Sequence, residues 1–452
     1  MNTLFEISKR GLRAAERGLA VTSNNIVNAN TPGYTRQRVE LSPDGMQKTH
    51  FHAGLGVNIT SVNRLRNEMN DVLINEKRQD LSFMEEKARV FEQLQAVMAT
   101  DSGMDLDFRI SRLFDAFSSL STDPQDVSLR NNLISEATQL TAKMGDLSNS
   151  IERTSDLIMN SAVNTVNSIN SLLEEINHLN KSIKLAQAQG KEDHAALDKR
   201  VQKLEQLSGF TDYDKRITST GAVEISIGGI KILDENKASS LKTDINTVDN
   251  IIYIRMPNSK IVEPRGGRLG AEIEMFQTSI PDLKKSLDGI AEALVNGFNE
   301  LHSQGYGLDD DISRNFFDPD FTSAAEIRVN SSILSNHNHI AASIQAGEAG
   351  NGDMAAIIAN LRDEPLVNGR RFVDSAINLI TRPGAELSNL RSQIDAREAE
   401  VNMLTIQQER EAGVSIDEEL SQMIKFQNAY QGAARVMSAA QQMYDTLINL
   451  AR

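Results

Sequence analysis

The 452-residue sequence contains no cysteine and no tryptophan. The first absence excludes disulfides, thiol catalysis and cysteine-ligated metal sites. Aromatic residues make up only 5% of the chain, so its cores are expected to be aliphatic, as in long helical bundles and coiled coils. No run of about 18 apolar residues occurs, and no membrane insertion is expected. Positive charge is in deficit. The net charge of −15 argues against nucleic acid or an anionic membrane as the main partner, because phosphates need a basic face. The segment Met1–Arg10 has no basic stretch followed by an apolar one and is not a secretory signal peptide. A cytoplasmic protein, or export by a route without a cleaved signal, are the two readings.

Chemistry-bearing motifs are also missing. There is no G-x-x-x-x-G-K-[ST], no G-x-S-x-G and no H-E-x-x-H. His50 with His52, and His337 with His339, each lack a third ligand and read as solvated loop histidines. Asp309-x-Asp311-x-Ser313 begins like a calcium loop, but Arg314 stands where glycine is required and Asp320 where glutamate is. Gly266–Gly270 has the composition of an anion cradle and reads as a turn between strand and helix. Of the paired carboxylates, Glu85-Glu86 reads as a solvated helix face, and Glu418-Glu419 as compensation of a helix dipole. No enzyme is expected, and no catalytic, cofactor or metal residues.

What is present is ordinary in bulk. Hydrophobic residues are 40% and charged residues 24%, which argues against wholesale disorder, and 452 residues leave room for roughly three domains. The organisation is less ordinary. Residues 3–28 and 415–452 are both amphipathic helix patterns, at opposite ends of the chain. The first opens with a capping box at Thr3–Glu6 and carries the seam Phe5, Ser8, Leu12, Ala15, Leu19, Thr22, Ile26, in strict alternation of three and four. That stripe buries little, so the helix alone is marginal in water. The second opens with a capping box at Ser415–Glu418. Its seam runs Ile416, Leu420, Met423, Gln427, Tyr430, Ala434, Met437, Gln441, Tyr444, Ile448, Ala451. Gln427 and Gln441 read as register-setting polar positions or as interhelical hydrogen-bond partners. The two helices are expected to be neighbours.

Between them lie four kinds of segment. An irregular stretch over 38–62 holds one or two short strands. Helices are expected over 64–99, with Leu65, Met69, Val72, Phe83, Val90, Leu94 and Val97 on its apolar face, and over about 105–120. A long one runs from a cap at Asp123-Pro124 to about 189, with a stripe through Leu157 and a Ser/Asn/Thr-rich stretch, 149–170, that allows a bend. Period-two alternation marks strands at Val223–Ile227, Lys231–Leu233 and Ile251–Arg255, in an inserted β segment. Helix resumes over 271–304. After a loop-rich stretch with a strand at Ile327–Val329 it returns over 371–411, ending at Gly413.

Two signatures then carry a resemblance. Ser23-Asn24-Asn25-Ile26-Val27-Asn28-Ala29-Asn30-Thr31-Pro32-Gly33-Tyr34-Thr35-Arg36-Gln37 resembles the N-terminal signature of bacterial flagellar rod, hook and hook-associated proteins. Asp417–Leu420, with Phe426–Gln431 and on to Leu447, resembles their C-terminal one. Within that axial family, Leu287–Ala291, Asn299–Tyr306, Asn315–Phe317 and Gly266–Gly270 resemble the hook-associated group at the hook–filament junction.

The residues together predict a mainly α fold with inserted β, made of a terminal helical assembly domain (1–60 plus 412–452), a long-helix bundle domain (61–208 plus 267–411, with a loop-rich segment 305–370) and a small β domain (209–266). The resemblance covers the helical frame, roughly residues 1–200 and 265–452. It implies a non-catalytic structural subunit joining hook to filament, with another exported axial subunit as the alternative. It implies ends that become helical only on assembly. Implied partners are further copies in a ring or tube layer, hook protein, a second junction protein next to the filament, and an export chaperone. The implied location is the extracellular flagellum, reached through type III export. The expected assembly interface comprises Leu12, Leu19, Ile26, the turn residues Asn24, Asn25, Asn28, Asn30, Thr31, Pro32, Gly33 and Tyr34, and Leu420, Met423, Gln427, Tyr430, Met437, Gln441, Tyr444 and Ile448.

Overall fold

The computed structural model describes residues 2–43, 56–98, 105–309 and 312–450. Met1, His50, His52, Asp311 and Ala451, all used in the sequence reading, and part of the irregular stretch 38–62 lie outside those residues. Helix α1 (Asn2–Val27) leads into an antiparallel hairpin of β1 (Gln37–Pro43) and β2 (Val57–Arg64). The bundle follows with α2 (Glu68–Met98), α3 (Leu106–Thr122), α4 (Val127–Ala188) and α5 (His194–Phe210). Thr3 lies inside α1, so it does not form the expected cap.

The central rod is α4. Its 62 residues span about 90 Å at 1.5 Å per residue. Asp126, not Asp123, caps it: its Oδ1 accepts the N–H groups of Ser128 at 2.6 Å and Leu129 at 3.2 Å. Asp123 instead ends α3. The buried stripe passes through Ile151, Ile158, Ala162 and Ile169, while Leu157 is 59% exposed. A step of six from Ile151 to Leu157 leaves the seam; a step of seven to Ile158 keeps it. The Ser/Asn/Thr-rich stretch does not interrupt the helix. Its polar side chains have tertiary partners: Ser161 and Thr165 donate to the buried Glu272, and Asn170 bonds the Leu241 backbone in both directions.

On α2, Met69 (67% exposed) and Val97 (40% exposed) face solvent, and Ile74, Val90, Phe91, Leu94 and Met98 make the contact face instead. Nor is Glu86 on a solvated face. It is buried against Arg89 and Arg268. Burial and the Glu398 carboxylate hold the Glu85 carboxyl above its usual range.

The β segment forms two antiparallel three-stranded sheets. One has β3 (Asp214–Ile217), β4 (Val223–Ile227) and β5 (Ile230–Leu233). The other has β6 (Lys242–Asn246), β7 (Ile251–Arg255) and β8 (Ile261–Val262). The polar strands DKRI and KTDIN carry no alternation of apolar residues, which hides them in the sequence. Val223, Ile225, Ile252 and Ile254 belong to the same contiguous core as the helices.

Gly266–Gly270 is a turn, as expected. The N–H groups of Arg265 and Gly266 are already taken by Asp212 Oδ1, at 2.8 and 3.1 Å, so those two do not await an anion. α6 (Gly267–Glu274) passes through a π turn, Met275–Ser279, into α7 (Ile280–His302). Pro281 explains the π turn: it has no N–H to offer the carbonyl four residues back, and the wider turn absorbs that loss.

The loop-rich stretch carries α8 (Ser331–Ser335) and α9 (Asp353–Asn360). The strand expected at Ile327–Val329 reduces to a single bridge between Phe317 and Val329. The loops are pinned by rings: Phe117, Phe298, Phe316 and Phe317 stack with centroids 5.0–6.1 Å apart. α10 (Phe372–Ala412) returns along α2, and α11 (Ile416–Leu450) pairs with α1.

Candidate assembly interface

α1 is short on large apolar side chains where it meets α11. Its inward row is Ser8, Gly11, Ala15, Gly18, Thr22 and Asn25, at heptad spacing, all buried except the half-buried Gly11. Small residues let the two backbones approach closely. A Cβ on Gly18 would lie 2.5 Å from the Phe426 ring, and one on Gly11 would lie 3.3 Å from Ala433 Cβ. At the far end the rings of Phe5 and Tyr444 meet edge to face at 6.4 Å. Ala14 and Val21, a second buried row, lie on the helix that also packs on β1 and β2. The expected positions Leu12, Leu19 and Ile26 are half-buried.

On α11 the inward row is Glu419, Met423, Phe426, Ala433, Met437 and Ala440, of which only Glu419 and Ala440 are fully buried. The expected row of Leu420, Gln427, Gln441 and Ile448 lies one residue away and faces outward, with Leu420 45% and Ile448 43% exposed. Gln427 and Gln441 therefore set no register between α1 and α11. Tyr430 and Tyr444 are part-exposed at 43% and 46%. Ile424, Val436, Met443 and Leu447 are exposed as well. Such a run of bare apolar surface along one helix marks an interaction face. Both ends are helical in a single chain, where the resemblance implied ends ordered by assembly. Each supplies the other's inner seam, and the outer face of α11 stays open.

The pair is tied to the bundle at one joint, and the asparagine-rich turn builds it. Asn25 is 1% exposed and fully satisfied. Its Nδ2 donates to the Gln37 carbonyl and to Glu419 Oε2, both at 2.9 Å; its Oδ1 accepts from the Tyr34 hydroxyl at 2.8 Å and the Gln37 N–H at 3.0 Å. Burial first, then the Asp198 and Glu419 carboxylates, push the Tyr34 hydroxyl up to about 12, so it remains a donor. Asn28 folds back onto Asn24, and Thr31 donates to Asn28. Asn30, Thr31, Pro32 and Gly33 are exposed. Gly33 has φ +74°, and Gln202 on α5 packs so near that a Cβ there would meet it at 1.8 Å.

Directly after the turn, at Thr35 and Arg36, the chain crosses the seam between the pair and the bundle. Thr35 is fully buried and donates through its hydroxyl to Asp198 on α5 at 2.7 Å. Arg36 donates from Nε to Glu419 and from Nη1 to Glu418, each at 2.7 Å. Glu418 is thus held by Arg36 rather than closing the expected capping box. Arg64 also binds Asp198, and Arg66 grips Asp71 with two bonds while Gln408 of α10 reaches the same carboxylate at 3.2 Å. Sequence reasoning missed Gly11 and Gly18, which a hydrophobic pattern does not register. It also missed Asp198, Asp71 and Gln408, whose partners are remote in the chain. Arg36 and Glu419 stood inside the two quoted signatures, and that was the available signal.

His337 and His339 sit on a helical turn, and His339 is bonded to the Ser332 carbonyl. Among the described residues no three His, Cys, Asp or Glu side chains converge to hold a metal ion. No helix of the described residues is long and apolar enough to cross a membrane.

Comparison with known proteins fits this geometry. The profile described as the flagellar hook-associated protein FlgK helical domain matches residues 91–317, half of the chain. This chain belongs to the flagellar hook-associated protein FlgK family. The ends of this FlgK-family chain match the broader axial profiles: flagella basal body rod protein at 5–35, and flagellar basal body rod FlgEFG protein C-terminal at 410–450. Among its relatives are flagellar hook-associated protein 1 of Bacillus subtilis, 26% identical over 98% of this chain and 97% of that one, and its namesake from Salmonella typhimurium, 21% identical over the whole of both. The flagellar hook junction protein FlgK from Burkholderia pseudomallei shares the fold at a TM-score of 0.63 and 12% identity, over 76% of this chain and all of that one. The chain is a structural subunit of the bacterial flagellum.

Proposed function

We propose that this subunit joins hook to filament by laying the open face of α11, with α1 behind it, against the same pair in adjacent copies. The carrying observation is the exposed apolar row of α11, on a helix pair whose residues take no part in the bundle core. Burying that row against neighbours contributes about 25 cal/mol per Å² of apolar surface, which a lone pair forgoes. The exposed residues of row 420–448, together with Tyr430 and Tyr444, form the contact, Met423 and Met437 back it from the α1 side, and the Asn24–Tyr34 turn sets the angle at which the pair leaves the bundle. Hook protein on one side, a second junction protein on the filament side and an export chaperone are the partners that fit this role. Passage through the flagellar type III route without a cleaved signal fits it too. The axial profiles at both ends are shared by rod and hook proteins. The FlgK profile in the middle favours the junction over another axial position.

Proline at Met437 or Leu420 tests the reading. A proline inside a helix costs about 3 kcal/mol or more. It is expected to abolish incorporation at the junction, scored by motility and by isolated hook–basal bodies, while the bundle's thermal unfolding stays unchanged. Normal incorporation of either variant would refute the proposal.

A further inference from the structure

Glu272 on α6 has no solvent exposure. It sits where α6 packs against α2 and α4. One of its oxygens makes all the hydrogen bonds: Oε1 accepts from the Ser161 hydroxyl at 2.6 Å, the Thr165 hydroxyl at 3.1 Å and Arg268 Nε at 3.0 Å. The other, Oε2, is buried without a hydrogen-bond partner. An ionised carboxylate spreads its charge over both oxygens, so part of that charge lies where neither water nor a donor meets it. A proton on Oε2 removes the charge and leaves all three bonds to Oε1 in place.

The ionisable groups around it come from two helices. α2 brings Glu86, whose Oε2 accepts from Arg89 Nε at 2.9 Å, and Lys87, 3.1 Å from Glu274. α6 brings Glu274 and Arg268, and the latter lies 3.6 Å from Glu86 as well. α4 has no ionisable side chain between Asp156 and Glu174 and offers Glu272 only the two hydroxyls. α5 meets α6 through Phe210 and Thr211 at Gly267, neither of them charged, and the π turn Met275–Ser279 carries no charge either. Two buried carboxyls, Glu86 and Glu272, thus share Arg268. When Glu272 is neutral, Arg268 keeps Glu86, and its side chain is 41% exposed, so solvent also carries its charge. Burial, with the Glu86 charge behind it, outweighs the Ser161 and Thr165 hydroxyls and Arg268, and holds the Glu272 carboxyl above its usual range.

We infer that Glu272 is a proton-operated clasp inside the bundle, holding α6 to α4 and α2 as a neutral acid and loosening that contact when it ionises. A carboxyl that keeps its proton to higher pH in the folded chain than in the unfolded one adds stability below the ordinary glutamate range. That stability is lost as pH rises through the value it has in the folded chain. Each unit by which folding raises it is worth about tenfold in the ratio of folded to unfolded chains. The clasp lies in the bundle, away from the helix-pair interface, and acts independently of how that interface is used.

Urea unfolding of the full chain at a series of pH values from about 4 to about 8, spanning the glutamate range and above it, tests the inference. The comparison is with Glu272→Gln, which keeps an oxygen for the three donors and cannot ionise. The unfolding midpoint of the natural chain is expected to fall relative to that variant as pH rises. Ser161→Ala removes the shortest of the three bonds, one that favours the ionised form. Its deficit against the natural chain should therefore widen as pH rises, and it carries the test if Glu272→Gln does not fold. A gap between the natural chain and Glu272→Gln that is constant with pH, or that shifts toward the natural chain as pH rises, would overturn the assignment. So would a Ser161→Ala deficit that does not change with pH.

Discussion

Replacing Asn25 by alanine removes four hydrogen bonds at once, taking one partner from the buried Glu419 carboxylate, which keeps Arg36, and one each from the Tyr34 hydroxyl and the Gln37 N–H and carbonyl. The expected loss is about 2–4 kcal/mol in docking of the terminal pair. The readout is faster proteolytic cleavage within residues 2–36, with the bundle unaffected; an unchanged cleavage rate would show that the joint is held elsewhere. His302 provides a second residue-scale test. It is fully buried between the Arg314 carbonyl, 2.7 Å from Nδ1, and the Ala341 N–H, which donates to Nε2 at 2.9 Å. That arrangement requires the neutral ring with its proton on Nδ1. Burial lowers its pKa from 6.5 to about 4, so the unfolded chain binds the proton more readily. Its contribution is therefore complete above pH 6.5 and disappears as pH falls toward 4, by about 3 kcal/mol at about 1.4 kcal/mol per unit. In His302→Gln the stability deficit seen at pH 7 should shrink as pH drops to 4, measured by urea unfolding; a deficit independent of pH would contradict the assignment.

At the scale of elements, the α1–α11 contact rests on glycine rather than on leucine. Gly18→Val forces a side chain into the Phe426 ring. Overpacking of this kind costs about 1–3 kcal/mol, and the pair should loosen, with earlier cleavage of both ends. Adding Phe426→Ala should restore part of the protection, because it vacates the space. Had the contact run through Leu12 and Leu19 as the hydrophobic pattern suggests, Gly18→Val would be nearly silent. The same pattern served better on α4, where long helical spacing was plain in the sequence. It failed at Leu157, since two apolar residues stood side by side at 157 and 158 and periodicity alone did not choose between them. The polar strands went unread because they lie at sheet edges with few apolar residues, and α5 because only Ala196, Leu204 and Leu207 of its apolar face are buried, among the buried polar Asp198, Arg200 and Ser208.

For the whole molecule, the contiguous core runs from Ala88 to Leu390 and includes no residue of α1 or α11. The terminal pair hangs from the bundle through the joint and its neighbours on the hairpin. Limited proteolysis of the purified chain should therefore remove both ends first and leave a core near 60–410; simultaneous loss of ends and bundle would mean one cooperative unit. The pair of signatures at the ends and the FlgK-like segments within them were legible from the sequence, and the family followed. In the contact of α11 with α1, Met423, Met437 and the turn take part; Leu420, Gln427, Gln441 and Ile448, named with them in the sequence, lie one residue away on the outer face, the face proposed to meet other copies.

Local residue chemistry decided which segments became helix, turn or alternating strand, because spacing, capping and glycine act over a few neighbours. It also excluded disulfides and thiol chemistry outright. Only the folded chain decided which row of α11 faces α1, that Arg36 meets Glu418 and Glu419, and that Asn25 is buried between Tyr34, Gln37 and Glu419. Those outcomes depend on which distant surfaces come together, and burial changes the cost of every charge and donor they enclose.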